Sequence, residues 1–378
     1  MNSKLIARRI SAIRRELDKK KIRFLIVTKP ANVTYLTGFL GEDSWAAIAK
    51  GRVYLLTDSR YIEQAQKECP SCKIIDRAGP MAGAVDGLVK KLKSVRTVAV
   101  EDSVSLADFE QLKKTVKAVG CAMHTFLIEG VPPSNRGQDA RDTAGIIENV
   151  RSVKDESEIA TIRTAAAIST KALAQTLPYI KPGITESELA GMLDFQIRKL
   201  GARNSFETIV AFGPNGSRPH HQPGSRKLRK KDAVLIDFGA KYKGYCSDIT
   251  RCFVIGGMTS FYKKVYDVVE QAQAAAIKTI RAGVKITQVD AAARDVIKKS
   301  GLPVYGHGTG HGFGLEIHES PFLKADGKGT LKAGQVITIE PGIYIPGKLG
   351  IRIEDDILVT ETGCKILTRR CPHSPLLP

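Results

Sequence analysis

The stretch "KPGITESELAGMLDFQIRKLG" at residues 181–201 aligns without gaps on "RAGVKITQVDAAARDVIKKSG" at residues 281–301. Both copies carry a glycine at the third position, apolar residues at helical spacing and a terminal glycine suited to ending a helix. Thr185 and Glu188 give the first copy the spacing of a capping box. Each copy follows another helical segment and precedes β-rich sequence, and the repeat is too long for a solenoid. The sequence therefore predicts a duplicated α+β unit with two pseudo-symmetric halves.

The first copy is followed by "AVLIDFGAKYKGYCSDITRCFVIG" at residues 233–256. This pattern predicts two alternating apolar strands joined by a short turn near Tyr242 and Lys243. A hairpin centred there places Asp237 directly opposite Asp248, with Cβ atoms roughly 4.5–5.5 Å apart. Like charges at that separation repel each other unless a cation lies between them.

The second copy is followed by "QVITIEPGIYIPGKLGIRIEDDILVT" at residues 335–360. A hairpin whose turn is centred on Gly347 places Glu340 opposite Glu354. Each half of the repeat therefore delivers an opposed acidic pair on strongly apolar strands. Because unpaired buried carboxylates are costly, the two pairs together favour a cation site over solvated surface acids, provided that neither register slips.

Between the two hairpins lies "GHGTGHGFGLEIHES" at residues 306–320, with three of the seven histidines of the chain. A dinucleotide loop would need a strand before it and a helix directly after it, and a P-loop would need Gly-Lys-Ser/Thr. If the segment is extended, His307 and His311 are some 13 Å apart at about 3.4 Å per residue. They cannot both bind one ion, so they have different roles. The glycines are expected to give clearance for closely packed backbone.

The N-terminal part alternates strand-like and helix-like segments, which predicts an α/β domain over residues 1–145. The polar, glycine- and proline-containing residues 129–143 are the best candidate for a linker. We therefore expect two domains, 1–145 and 146–378.

Composition narrows the class of protein. Of the 378 residues, 43% are hydrophobic and 26% charged, and there is no long apolar run, so we expect a globular cytoplasmic protein that does not bind membranes. The seven scattered cysteines argue against a disulfide framework. The net charge of +19 suggests attraction to polyanions. No nucleic-acid-binding motif accompanies that charge, so nucleic acid is not expected as a partner.

At this point the sequence resembles the pita-bread metallopeptidases, which include methionine aminopeptidases, Xaa-Pro aminopeptidases, prolidases and the metal-free creatinases. The motifs "LIDFGAKYKGYCSDITR", "HGTGHGFGLEIHE", "TIEPGIY" and "GIRIEDD" match in order and spacing. In the N-terminal part, "NVTYLTGF" and "YLLTDSRY" are similar to the creatinase/prolidase branch. The resemblance implies an α+β fold with a pseudo-symmetric pita-bread catalytic domain after an N-terminal α/β creatinase-like domain.

The resemblance also implies a set of metal ligands. Asp237 would chelate one ion, His311 and Glu340 would hold the other, and Asp248 and Glu354 would bridge both. Three histidines, His220, His307 and His318, correspond to residues of the family that contact substrate or steady the tetrahedral intermediate. Arg352 lies two residues before Glu354, and so on the same strand face, and would support the carboxylates or the substrate. The doublet of His220 and His221 leaves open which of the two faces the site.

Four carboxylates and one imidazole form an oxygen-rich donor set, which suits Mn²⁺, Co²⁺ or Fe²⁺ better than a thiolate-type structural zinc site. Of the two divalent ions implied, Mn²⁺ is favoured, with Co²⁺, Fe²⁺ and Zn²⁺ as alternatives. Two such ions share a water whose pKa falls toward about 7, and the resulting hydroxide attacks the scissile carbonyl. Glu340 would move the proton and His318 would stabilise the developing charge.

The resemblance therefore implies an Xaa-Pro aminopeptidase of the aminopeptidase P type, which releases the residue before proline from a peptide. One alternative is a prolidase restricted to Xaa-Pro dipeptides. Another is a non-catalytic pita-bread protein that binds nucleic acid or protein. That alternative predicts that some of the metal ligands have been replaced, whereas all five are present. Dimers are common in the family, so a homodimer is expected.

Overall fold

The computed structural model describes residues 3–49, 51–93, 95, 97–117, 125–127 and 145–377. The chain divides into two compact units, Met1–Arg151 and Ser152–Pro378. The linker predicted at residues 129–143 lies outside the described residues. Within the described part of the chain, every helix is too short or too polar to cross a membrane.

The N-terminal unit is an α/β layer structure built around one mixed sheet. The strands follow the order β4-β3-β2-β1-β5-β6. They are β1 (Phe24–Val27), β2 (Trp45–Ala49), β3 (Arg52–Thr57), β4 (Lys73–Asp76), β5 (Thr97–Val100) and β6 (Thr125–Leu127). The helices are α1 (Ser3–Lys19), α2 (Pro30–Thr37), α3 (Ile62–Glu68), α4 (Met81–Leu92), α5 (Leu106–Lys117) and α6 (Ile146–Arg151). The α/β pattern predicted for this part is confirmed.

The C-terminal unit contains two helix pairs, as the internal repeat predicts. They are α7 (Glu156–Thr176) with α8 (Glu186–Lys199), and α9 (Ser260–Thr279) with α10 (Ile286–Ser300). The capping box of α8 is present, because the Glu188 amide donates to Thr185 Oγ1 at 3.2 Å and Glu188 Oε2 accepts from the Thr185 amide at 2.8 Å. Gly201 and Gly301 follow the two repeat helices at φ values of 83° and 73°, a conformation that glycine adopts without strain.

The strands of the C-terminal unit form four sheets. Each hairpin is divided between a larger and a smaller sheet. The larger sheets have the orders β20-β12-β9-β8 and β14-β13-β15-β18-β19, and the smaller sheets, which hold the hairpin turns, are β11-β10-β7 and β16-β17. The strands are β7 (Arg203–Asn204), β8 (Ile209–Phe212), β9 (Ala233–Phe238), β10 (Ala240–Tyr242), β11 (Tyr245–Cys246), β12 (Ile249–Ile255), β13 (Gly310–Gly312), β14 (Glu319–Leu323), β15 (Val336–Ile339), β16 (Gly342–Ile345), β17 (Leu349–Arg352), β18 (Asp355–Val359), β19 (Cys364–Ile366) and β20 (Leu376–Leu377).

The apolar core explains why the first hairpin is hydrophobic on both faces. Leu235 of β9 and Val254 of β12 belong to the cluster under α9 and α10. Their neighbours Ile236 and Phe253 belong to the cluster under α7 and α8. Because successive side chains of a strand point to opposite faces, this hairpin lies between the two helix pairs and joins the two halves of the unit.

The register predicted for the first hairpin is wrong by two residues. Tyr242 pairs with Tyr245, so the turn is the dipeptide Lys243–Gly244, and both of its residues have positive φ, at 46° and 86°. Such two-residue turns match the twist of the flanking strands and favour glycine. Asp237 therefore lies opposite Thr250. Asp248 keeps the same face as Asp237, two residues along, because the shift is an even number.

The register predicted for the second hairpin is confirmed. Ile339 pairs with Asp355 and Gly342 pairs with Arg352, so the hairpin keeps one register on both sides of its acidic pair. The sheet is interrupted between these pairs, and Glu340 and Glu354 lie at that interruption.

Candidate metal centre

The five predicted ligands meet at one end of the two hairpins. Each is placed by a different strand end: Asp237 lies on β9, Asp248 just before β12, His311 on β13, Glu340 just after β15, and Glu354 just before β18. All five line a cavity of about 530 Å³. Residues more than a hundred positions apart in the sequence are thus brought to one site.

The distances within this cluster suit a cation. His311 Nε2 lies 3.6 Å from Asp248 Oδ2 and 3.4 Å from Glu340 Oε1. One donor atom from each of Asp248, His311 and Glu354 lies within 4.8 Å of the others. Asp237 Oδ1 is buried and has no hydrogen-bond partner in the described part of the protein. A buried carboxylate oxygen without a partner is costly, and a metal ion would satisfy it.

The pKa shifts of the carboxylates also favour a bound cation. Burial, and then the charges of the neighbouring acids, raise the pKa of Asp248 and of Glu354 well above the ordinary range. Burial raises the pKa of Glu340 to about 7, although the Arg352 guanidinium acts in the opposite direction. A bound divalent cation would reverse these shifts. Oxygen donors with one imidazole fit Mn²⁺, Co²⁺ or Fe²⁺.

His311 is held in the tautomer that a metal ligand needs. Its Nδ1 lies 3.0 Å from the Gly312 carbonyl oxygen, so Nδ1–H donates and the lone pair of Nε2 faces the carboxylates. Burial, and then the neighbouring His318, lower the pKa of His311 to about 4. The imidazole is therefore neutral near pH 7, as coordination requires.

Arg352 connects the two hairpins. Its guanidinium donates to Asp237 Oδ2 at 2.5 Å, to Thr250 Oγ1 at 3.0 Å and to the Tyr344 hydroxyl at 2.8 Å. The side chain is buried, so these bonds compensate its desolvation. The sequence placed Arg352 on the face of Glu354, and the structure adds that its direct carboxylate partner is Asp237.

Two of the remaining histidines surround the cluster without being placed to bind the same ion. His307 has both ring nitrogens engaged, with the Gly308 carbonyl oxygen at 2.7 Å and the Tyr344 hydroxyl at 2.9 Å. Burial lowers its pKa to about 4. His318 packs against His311 with ring centroids 4.5 Å apart. Both rings line the cavity.

The histidine doublet is divided between two environments. His221 Nε2 lies 2.9 Å from Glu186 Oε2. His220 is exposed and lines the cavity. Within the described residues, its side chain makes no hydrogen bond.

Four residues that orient the ligands were missed by the sequence reasoning. Thr250 Oγ1 donates to Glu354 Oε2 at 2.6 Å, and Thr338 Oγ1 accepts from the His311 amide at 3.1 Å and contacts Glu340. Asp356 accepts from the Asp248 amide at 3.2 Å. Tyr344 links His307 and Arg352. Thr250 and Thr338 each stand two residues from a predicted ligand on an apolar strand, and that spacing was the available signal.

The glycines of residues 306–320 provide clearance, as predicted. A Cβ on Gly310 would collide with the Thr338 carbonyl, and one on Gly312 with the Ser320 carbonyl. Strand β13 can therefore carry His311 between its neighbours only because glycine flanks it.

Comparison with known proteins agrees with this geometry. Residues 160–361 match the model of metallopeptidase family M24, and residues 9–131 match the creatinase/prolidase N-terminal domain. A Bacillus subtilis protein described as an uncharacterized peptidase is 36% identical over 93% of this chain and 94% of its own length.

Solved structures are similar over nearly the whole chain. An Xaa-Pro dipeptidase from Bacillus anthracis has a TM-score of 0.89 at 35% identity, covering 98% of this chain and 100% of the other. An X-Pro aminopeptidase from Thermotoga maritima has a TM-score of 0.85 at 34% identity, covering 96% and 100%. A prolidase from Pyrococcus horikoshii has a TM-score of 0.85 at 30% identity, covering 97% and 99%. The chain belongs to metallopeptidase family M24 and carries the creatinase/prolidase N-terminal domain.

Proposed function

We propose that this metallopeptidase cleaves Xaa-Pro bonds with two divalent metal ions, in the manner of an aminopeptidase P. The observation that carries the proposal is the cluster of four carboxylates, three of them buried and Glu340 partly exposed, with one neutral imidazole at the wall of a cavity of about 530 Å³. Relatives named for Xaa-Pro substrates, at 30–35% identity over nearly the whole chain, support the substrate class.

The ligand assignment follows the family pattern. Asp237 would hold one ion, His311 and Glu340 would hold the other, and Asp248 and Glu354 would serve both. When bound, two such ions polarise the scissile carbonyl and make a water acidic enough to supply the nucleophile near pH 7. We favour Mn²⁺, since the donor set is mainly oxygen.

Glu340 is the proposed proton carrier. Its carboxylate lines the cavity beside the other proposed ligands, which places it within reach of the attacking water. It would take the proton from the attacking water and deliver it to the leaving proline nitrogen. Thr338 contacts Oε1 and fixes the direction of the carboxylate.

The three cavity histidines and Arg352 are proposed to act on the substrate side. His318 would donate to the oxygen of the cleaved carbonyl as negative charge develops there. His220 and His307 would hold the substrate backbone. Arg352 would keep Asp237 in place, because its guanidinium lies 2.5 Å from Oδ2.

Apolar side chains of the cavity suit a proline ring. Phe206, Ile209, Ile317 and Phe322 line the cavity together with the polar residues. Proline lacks an N–H, so a pocket that selects it relies on shape and apolar contact more than on hydrogen bonds.

A dipeptidase is the second candidate, because a relative of 0.89 TM-score is named an Xaa-Pro dipeptidase. The test is hydrolysis of an Xaa-Pro dipeptide and a matched Xaa-Pro-Yaa tripeptide by chelator-treated protein, with and without added Mn²⁺. Metal-dependent cleavage of both supports an aminopeptidase P. Cleavage of the dipeptide alone identifies a prolidase. No cleavage of either, with salt-sensitive retention of RNA, would support the non-catalytic binding protein instead.

We also propose that the protein is a homodimer, as expected from the family resemblance. Light scattering on the purified protein tests this, with twice the chain mass as the expected result.

A further inference from the structure

Glu186 is a buried carboxylate that the proposed chemistry does not use. It is the first residue of α8, and its side chain has 0% exposure. The helix N-terminus is already capped by Thr185 and Glu188. A buried charge is costly unless its oxygens are satisfied, so the reason for this acid has to be found in what it holds.

Both oxygens of Glu186 are occupied by one loop. Oε1 accepts from the Phe212 amide and from Asn215 Nδ2, each at 2.8 Å. Oε2 lies 2.9 Å from His221 Nε2 and accepts from the Gly224 amide at 3.1 Å. Burial acts to raise the pKa of Glu186, but these bonds outweigh it and lower the pKa. The ionised carboxylate therefore ties both ends of the loop at residues 212–224 to α8.

This loop forms part of the cavity wall. His221 itself and its neighbours Pro219, His220, Gln222 and Pro223 line the cavity. His221 is nearly enclosed, with 8% of its side chain exposed, whereas His220 is exposed to the cavity. His220, His307 and His318 all line this cavity, so the three rings share one space.

We propose that the Glu186–His221 pair is a positioning device that sets His220 against the substrate, so that the two adjacent histidines have different tasks. His221 Nε2–H donates to Glu186 and never meets substrate, and His220 is the member of the doublet that does. The proposal rests on the proposed peptidase function for its kinetic consequence only, since the contacts that fix the loop do not depend on it.

The test compares the same substitutions at the two neighbouring positions. A glutamine amide reproduces the Nε2–H donor of a histidine, and alanine does not. We expect His221→Gln to keep kcat/KM within about threefold of wild type and His221→Ala to lower it about tenfold, because misplacing a substrate group by about 1 Å is enough for such losses. At position 220, Gln and Ala should both lower kcat/KM about 100-fold, since neither replaces an imidazole that acts on substrate.

Glu186→Gln should follow His221→Ala, because a carboxamide cannot accept from all four donors. If His221→Ala does not fold, His221→Asn replaces it, as its amide is too short to reach Glu186. Equal losses for His221→Gln and His220→Gln would overturn the proposal by showing that His221 meets substrate. Wild-type activity in His221→Ala and Glu186→Gln would overturn it by showing that the pair positions nothing.

A second readout does not require turnover. In ¹⁵N-histidine NMR spectra, the His220 ring signals should move in His221→Ala and Glu186→Gln and stay in place in His221→Gln. Unchanged signals in all three variants contradict the proposal. If the wild-type protein with metal cleaves no Xaa-Pro peptide, the proposed function fails, and the NMR comparison still decides the role of the pair.

Discussion

The two hairpins of the C-terminal unit follow one plan and are held differently. The first pairs as β9 with β12 and, beyond a gap, as β10 with β11, and it presents Asp237 from inside β9 and Asp248 from that gap. The second is interrupted, and it presents Glu340 and Glu354 at the gap between its two paired segments. Each half therefore supplies ligands at a break in its hairpin, and of the four acids Asp237 alone lies inside a paired strand.

Each hairpin is oriented by the other. Arg352 of the second hairpin binds Asp237 of the first. Thr250 of the first hairpin binds Glu354 of the second through its hydroxyl at 2.6 Å, and its carbonyl accepts from the Glu354 amide at 3.1 Å. The Asp248 amide donates to Asp356. The comparison teaches that neither half forms the site alone, so breaking a cross-hairpin contact should harm activity more than breaking one within a half.

Removing a ligand that is proposed to bind both ions should have the largest effect on activity. Asp248→Asn or Glu354→Gln keeps the size of the side chain and replaces a carboxylate proposed to bind both ions with a neutral amide, so kcat/KM for an Xaa-Pro peptide should fall by about a thousandfold or more. The exposed Glu361→Gln is the matched control and should match wild type. Near-normal turnover in either ligand variant would contradict the metal assignment.

The next largest effect should come from the cross-hairpin arginine. Arg352→Lys keeps the charge but cannot reproduce three directed bonds to Asp237, Thr250 and Tyr344. We expect kcat/KM to fall about 100-fold with the circular dichroism spectrum unchanged. Arg369→Lys, at an exposed position, is the control. Wild-type kinetics for Arg352→Lys would mean that the first hairpin needs no support from the second.

Two threonines allow a direct comparison between contacts that join the two halves and contacts within one half. Thr250 binds across the halves, to Glu354 and Arg352, whereas Thr338 binds within its own half, to His311 and Glu340. Replacing either threonine with valine leaves its buried hydrogen-bond partners unsatisfied, which costs about 1–3 kcal/mol for each partner. Thr250→Val should lower kcat/KM about tenfold, and Thr338→Val by less. The reverse order, measured on the same substrate, would contradict the idea that cross-hairpin contacts dominate.

A separate prediction concerns the stability of the metal-free protein and its dependence on pH. The pKa of Glu340 is raised to about 7, so the folded state binds more protons than the unfolded state between about pH 4.5 and 7. The free energy of unfolding should therefore fall by about 3 kcal/mol as pH rises through this window. Chemical denaturation of chelator-treated protein at pH 5 and pH 8 measures it. Added Mn²⁺ should stabilise more at pH 8, and greater metal-free stability at pH 8 would contradict the account.

The sequence predicted the two-domain architecture and the repeat because periodicity and glycine positions report local structure directly. It placed Glu340 opposite Glu354 correctly, since the "PGK" turn centres that hairpin unambiguously. It misplaced Asp237 by two residues because "YKGY" allows two turn positions, and only the positive φ of Lys243 and Gly244 decides between them. Asp237 and Asp248 still share a face of the hairpin, so the predicted acidic cluster does not depend on this error.

The supporting residues could not be predicted because their partners are distant in sequence. Thr250 and Glu354 are separated by 104 positions, and Asp248 and Asp356 by 108. A pattern along one strand shows which face a residue occupies but not which strand crosses it. The contact between His221 and Glu186 could not be predicted for the same reason, since Glu186 lies 35 residues away in the sequence.

The most direct test of the account is the number of Mn²⁺ ions that restore activity to chelator-treated protein, measured by calorimetry beside hydrolysis of an Xaa-Pro peptide. We predict two ions per chain, with full hydrolysis reached only when the second ion binds, and loss of this stoichiometry in Glu354→Gln. Undiminished hydrolysis by metal-free protein, or no uptake of Mn²⁺, Co²⁺ or Fe²⁺, would contradict the claim that the two hairpins together form a dinuclear catalytic centre.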